Sequence, residues 1–102
     1  MDKIYQISEL IDILLPVFIN APVYHAVLFG SYAKGAADEK SDVDIIIDSK
    51  GELCNINFFG LLENITAVLN KKVDMIELSE IEAGSDILTE IEKQGVTIYK
   101  RT

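Results

Sequence analysis

Hydrophobic residues along the chain recur first at helical spacing. Apolar positions between Ile7 and Phe18 repeat at steps of three and four residues, which predicts an amphipathic helix. Pro16 lies inside this pattern, so we expect the helix to kink or to end early there. A second run with the same spacing extends from Phe58 to Leu69. The pattern therefore predicts two long helices, one near the start of the chain and one near its middle.

Four short segments have the character of β-strands. They read "YHAVLFG", "DVDIIID", "KKVDMIEL" and "VTIYK", and they are rich in β-branched or aromatic residues and bounded by turn residues. Between the first two, "SYAKGAA" predicts a short helix. The segment "SDILTEIEKQG" predicts a capped helix that starts at Ser85 or Asp86 and ends before Gly95. The alternation of helices and strands favours an α/β fold in which helices lie on one sheet.

The size and charge of the chain limit its function. A length of 102 residues predicts a single domain spanning residues 1–102. Nine basic against seventeen acidic residues give a net charge of −8, which argues against direct nucleic-acid binding. Solubility and a basic protein partner explain this acidity equally well. Cys54 is the one cysteine, which excludes an internal disulfide or a cysteine metal cluster. The apolar run "ILLPVFI" is too short for a membrane span and follows no basic leader, so we expect a cytoplasmic protein without membrane contact.

A Gly-Ser pair stands where the first predicted strand meets the short helix. Backbone N–H groups at such a junction point towards one place and favour a bound phosphate. Gly30 would let a ligand approach the backbone closely, and the Ser31 hydroxyl could donate a further hydrogen bond. Lys34, one helical turn later, could reach a triphosphate or could be a solvated surface lysine. Taken alone, Gly30 and Ser31 are better explained as a turn glycine and a helix cap.

Two aspartates lie at the start of the second predicted strand, just before its apolar residues. Asp42 and Asp44 are two positions apart and so share one face, with Val43 and Ile45 on the other. Neighbouring carboxylates repel each other unless a cation lies between them. Mg²⁺ commonly takes one or two carboxylates together with phosphate oxygens. A solvent-facing edge is the alternative, but the "III" that follows indicates a strand entering the core, and we favour the metal site.

Asp74 is the third candidate acid. It lies between apolar residues of "KKVDMIEL", where an unpaired carboxylate costs free energy. If its strand neighbours that of Asp44, the three carboxylates could hold two metal ions roughly 3.5–4 Å apart. An exposed aspartate on the polar face of an alternating strand is the alternative. Glu77 is a weaker candidate on the opposite parity, His25 is interpreted as structural, and Tyr32 could lie beside a base or pack on the sheet.

Four features of the sequence together resemble a known signature: Gly30-Ser31, the following "AKG", the segment "SDVD" and Asp74. It is the Gly-Ser…Asp-x-Asp pattern of the nucleotidyltransferase superfamily related to DNA polymerase beta, and the similarity is closest to its minimal, stand-alone members. The resemblance implies that fold, an α/β (α+β) domain with a single small mixed β-sheet and helices packed on it. Many members carry arginine where this chain has Lys34, which keeps the charge but loses the bidentate fork.

The same resemblance implies roles for the candidate residues. Gly30 and Ser31 would hold the triphosphate of ATP, and Lys34 would be close to it. Asp42 and Asp44 would bind two Mg²⁺ ions. Asp74 would bind one ion and help to activate the incoming hydroxyl.

The resemblance also implies a reaction and a partner. The chain would transfer AMP from ATP to a hydroxyl and release pyrophosphate. Minimal nucleotidyltransferases are typically antitoxins that add AMP to a tyrosine of a HEPN-type ribonuclease toxin, so such a toxin is the expected partner. A non-catalytic antitoxin that acts by occlusion, and nucleotidylation of a small molecule such as an aminoglycoside, are the alternatives. Assembly into a homo- or hetero-oligomer stays open.

Overall fold

The computed structural model describes residues 3–101 and has the predicted order of elements. Within that range the chain forms four α-helices, which are α1 (Ile7–Ile19), α2 (Gly30–Ala33), α3 (Ile56–Leu69) and α4 (Asp86–Gln94). The four strands are β1 (His25–Phe29), β2 (Val43–Asp48), β3 (Val73–Glu77) and β4 (Val96–Lys100), and a 3₁₀ turn at Leu78–Glu80 follows β3. None of the helices in this range is both long and apolar enough to cross a membrane. The predicted α/β class is confirmed.

The strands form one mixed sheet in the order β3-β2-β1-β4. β1 is antiparallel to both β2 and β4, whereas β2 and β3 are parallel. Two pairs in this register matter for the site: Phe29 of β1 is opposite Asp44 of β2, and Asp44 is opposite Asp74 of β3. The prediction depended on the strands of Asp44 and Asp74 being neighbours, and they are.

The main core lies between one face of the sheet and helices α1 and α3. Both helices bury a stripe of residues at helical spacing, and the inward residues of β2 and β3 pack against them. These residues are Leu10, Leu14, Phe18, Leu61, Ile65, Leu69, Val43, Ile45, Ile47, Val73 and Met75. Because side chains alternate along a strand, the residues between them project from the opposite face. That second face carries the candidate site.

Pro16 does not end α1, so the expectation of an early end there is wrong. The helix continues to Ile19, one turn further. Proline has no N–H, so Pro16 cannot donate the usual helical hydrogen bond to the Asp12 carbonyl. Both residues are exposed, so water can donate to that carbonyl instead. The Asn20 side-chain amide donates to the Pro16 carbonyl at 2.8 Å and closes the last turn.

Helix α4 begins and ends where the sequence predicts. Ser85 is the N-cap, and its hydroxyl accepts a hydrogen bond from the Leu88 N–H. Gly95 follows the last helical residue in an extended rather than a left-handed conformation. A side chain there would lie 2.8 Å from Val27 Cγ1 of β1 and 2.5 Å from the Ile91 carbonyl. Gly95 therefore lets α4 end in close contact with the second face of the sheet.

Candidate active site

The three predicted acids lie together where β2 and β3 begin. Val43 is in the core, so Asp44 projects from the second face, and Asp42, just before β2, has the same parity. Asp74 is the direct partner of Asp44 on the parallel strand β3. Adjacent strands are about 4.8 Å apart, which brings these carboxylates within direct electrostatic reach. The sheet register thus assembles the predicted cluster.

The surroundings of the acids differ from one to the next. Asp42 and Asp44 are half-buried, whereas Asp74 is exposed on edge strand β3. Asp74 was interpreted either as an acid among apolar residues or as an exposed aspartate on an alternating strand, and the structure shows the exposed position. It lies at the site because it pairs with Asp44, not because it is buried. Glu77 faces the core instead, where it is 4% exposed and accepts hydrogen bonds from Ser49. Its separation from the cluster agrees with its opposite parity.

Asp44 has a raised pKa because it is partly buried beside the other acids of this cluster. Its pKa is raised to about 6, first by partial burial, then by the negative charges of Asp74 and Asp42 and by a hydrogen bond with Asp74. Glu90 of α4 makes a smaller contribution of the same sign to the pKa of Asp44. A bound cation would relieve this repulsion and favour the ionised form of Asp44.

The donor set fits a metal ion that is completed by its substrate. Within residues 3–101, no three His, Cys, Asp or Glu side chains are grouped closely enough to hold an ion by themselves. Mg²⁺ does not require such a cage, because it commonly binds one or two carboxylates and keeps phosphate oxygens and water as its other ligands. Asp44 with Asp42 or Asp74 provides hard oxygen donors of this kind. These residues are therefore suited to Mg²⁺ that arrives with a triphosphate.

Gly30 brings the start of α2 against Asp44. It has a φ of +71°, a left-handed conformation that side chains disfavour. A Cβ on Gly30 would overlap Asp44 Oδ2 and lie 3.2 Å from Asp44 Cγ. The first four N–H groups of a helix have no acceptor within it, and α2 consists of only four residues. Gly30 and Ser31 thus place backbone N–H donors directly beside the Asp44 carboxylate.

Two lysines, Lys34 and Lys72, form ion pairs with carboxylates near the site. Lys34 Nζ lies 2.9 Å from Glu90 Oε1, so the predicted triphosphate ligand contacts a carboxylate of α4. Lys72 Nζ lies 3.7 Å from Asp42 Oδ2 and is largely exposed. The sequence interpretation did not single out Glu90 or Lys72. Lys72 directly precedes β3, so the strand pattern could have predicted its position near the acids. For Glu90 the sequence indicates only a charged residue on an amphipathic helix.

Two aromatic candidates have structural surroundings. Tyr32 is 3% exposed and packs in the core, so of its two interpretations packing is the one that the structure shows. The His25 ring lies on β1, where Nε2 is 3.0 Å from the Thr97 hydroxyl of β4. That contact agrees with a structural role for His25.

This fold and cluster define a class of protein. The family model described as "Polymerase beta, Nucleotidyltransferase" matches residues 14–102. The chain belongs to this polymerase beta nucleotidyltransferase family, and the resemblance seen in the sequence is confirmed.

Within the family, the chain is similar to protein adenylyltransferases. It is 39% identical over 57 residues to the protein adenylyltransferase MntA of Thermococcus cleftensis, an alignment that covers 56% of this chain and 58% of that relative. A crystal structure of a toxin–antitoxin with AMP-PNP matches 90% of this chain and 74% of its own with a TM-score of 0.75 and 23% identity. A structure of a tri-AMPylated Shewanella oneidensis HEPN toxin in complex with MNT antitoxin matches 94% and 71%, with a TM-score of 0.62 and 23% identity. At these identities the solved structures establish the shared fold.

Proposed function

We propose that this protein is a Mg²⁺-dependent protein adenylyltransferase. It moves AMP from ATP to a tyrosine hydroxyl of a HEPN-type ribonuclease toxin and acts as the cytoplasmic antitoxin of that toxin. One observation carries the proposal: Gly30 packs against Asp44, so the backbone donors at the start of α2 lie beside a carboxylate, which favours binding of a phosphate and a metal ion at one place. The similarity to a protein named as an adenylyltransferase supports the same reaction.

The residues divide the work of the transfer between them. The N–H groups at Gly30 and Ser31 bind the phosphates of ATP. Asp42, Asp44 and Asp74 would hold two Mg²⁺ ions, which would supply positive charge to the triphosphate and to the attacking oxygen. The acceptor oxygen forms a bond to the α-phosphorus while the bond from that phosphorus to the bridging oxygen breaks, and pyrophosphate leaves. Asp74, exposed at the sheet edge, accepts the proton of the incoming hydroxyl.

The position of the site favours an acceptor on another polypeptide. β3 is an edge strand and Asp74 is exposed, so a large acceptor can approach from solvent. The net charge of −8 would attract a basic partner such as a ribonuclease.

A mass measurement tests the proposal directly. The purified protein is incubated with ATP, Mg²⁺ and the co-encoded toxin, and the intact mass of the toxin is recorded. We expect an AMP-sized increase with the wild type and little or none with Asp42→Asn or Asp74→Asn. Asp12→Asn is the matched control, because Asp12 is exposed on α1 and far from the second face of the sheet. No increase with the wild type, or an equal increase with Asp42→Asn, would contradict the proposal.

Neutralisation by occlusion is the second candidate function. Ile56 and Phe59 are 85% and 62% exposed at the start of α3, which favours a protein-binding surface there. A non-catalytic antitoxin would still neutralise the toxin with Asp42→Asn and Asp74→Asn, so toxin activity measured with these variants separates the two functions. A screen of small-molecule hydroxyl acceptors with labelled ATP tests nucleotidylation of a small molecule.

A further inference from the structure

Glu90 extends from α4 to the edge of the candidate active site. Its Oε1 lies 2.9 Å from Lys34 Nζ, and both side chains are only partly exposed, at 35% and 43%. Lys34 directly follows α2, the helix whose first N–H groups lie beside Asp44. Glu90 also acts electrostatically on Asp44. This glutamate is therefore close to the cation and to the acids of the site.

The ion pair has a direct consequence for nucleotide binding. The Lys34 ammonium group donates to Glu90, so its charge is partly neutralised and it is not free to bind a phosphate oxygen. Glu90 also adds a negative charge to a region that already contains Asp42, Asp44 and Asp74, and this charge repels a triphosphate. Both effects weaken binding of ATP, and both would be reduced if Lys34 left Glu90 for the phosphates.

We propose that Glu90 is a positioning residue that sets the affinity for nucleotide: it holds Lys34 in the nucleotide-free protein and releases it to the triphosphate of ATP. This inference rests on the proposed function, because it requires ATP to bind at Gly30 and Ser31.

The same geometry argues against a mainly structural role for this pair. Ion pairs between partly exposed side chains contribute little to stability, because solvent screens them and ordering them costs side-chain entropy. α4 packs on β1 with a close approach of Gly95 to Val27, and its apolar residues Leu88 and Ile91 are half-buried. Loss of Glu90 should therefore change affinity for the nucleotide while leaving the fold intact.

Calorimetric titration with Mg²⁺ and the non-hydrolysable analogue AMP-PNP tests the inference. Glu90→Gln should lower the Kd by about 2- to 5-fold, the range expected for an exposed ion pair. Lys34→Met should raise the Kd, and in the Lys34→Met background Glu90→Gln should have a clearly smaller effect. Glu92→Gln, on the same helix and exposed, removes the same charge and should leave the Kd unchanged. In the transfer assay, Glu90→Gln should lower the KM for ATP with kcat unchanged.

The outcomes separate this inference from the proposed function. An unchanged or higher Kd for Glu90→Gln would overturn the inference, as would an equal gain in the Lys34→Met background, since Glu90 would then act without Lys34. A drop in the thermal midpoint of Glu90→Gln with no change in Kd would also overturn it and assign a structural role. Failure of the wild type to bind AMP-PNP would overturn the proposed function itself.

Discussion

Replacing Gly30 by alanine tests the contact that joins the two halves of the site. With its φ of +71°, a residue bearing a side chain loses about 1–2 kcal/mol in the left-handed region. The new Cβ would also overlap Asp44 Oδ2 and lie 3.2 Å from Asp44 Cγ, so the carboxylate must leave its rotamer at about 0.5–1.5 kcal/mol. We therefore expect Gly30→Ala to lower the free energy of unfolding by about 1.5–3.5 kcal/mol.

Gly35 provides a matched control for this experiment. It has the same φ of +71°, and a Cβ there would meet no atom of the described residues within 4 Å. Gly35→Ala should therefore lose only the backbone part, about 1–2 kcal/mol. Urea denaturation followed by circular dichroism measures both variants. The excess loss in Gly30→Ala should disappear in an Asp44→Ala background, and equal losses for the two glycines would refute the steric argument.

Two further changes probe the charges on the two faces of the sheet. In the metal-free protein, the pKa of Asp44 is raised to about 6, so the folded state binds this proton more tightly than the unfolded chain. The stability that Asp44 contributes should be lost as pH rises from about 4 to about 6, and Asp44→Asn should remove that part of the profile; parallel urea-midpoint profiles would contradict this. On the core face, Glu77→Leu leaves the Ser49 N–H and hydroxyl without their acceptor and should lose about 2–4 kcal/mol in urea denaturation. Glu77→Gln keeps a carbonyl acceptor and should lose clearly less, and equal losses would show that packing rather than hydrogen bonding holds Glu77.

The sequence predicted the element order because each element has its own hydrophobic period. The apolar stripes of α1 and α3, and the short apolar runs of the strands, are local patterns that survive in the fold. The placement of Asp42 and Asp44 on one face follows from the same local rule, since alternate strand residues share a face. The early end expected at Pro16 is wrong because the effect of a proline depends on which side of α1 is exposed, and that is a property of the packed protein.

The parts that the sequence could not predict depend on contacts between distant segments. Glu90 comes close to Lys34 only because α4 packs on β1, and this packing requires β4 to return beside β1. The reason for Gly95 likewise emerges only when Val27 is known to lie against it. Buried Glu77 reads as an ordinary charged strand end until its hydrogen bonds to Ser49 are seen. In each case the deciding partner is far away in sequence.

The register between β2 and β3 connects the core to the chemistry. Val43 pairs with Val73 and both are buried, and the next pair along the strands is Asp44 with Asp74. A slip of one residue would move every side chain of a strand to the other face, placing one of the aspartates against the core and a valine on the site. Burial of the valines therefore disfavours a one-residue slip, which would place the two carboxylates on opposite faces. The hydrophobic packing of the opposite face is thus what holds these acids side by side, although like charges at this distance repel each other.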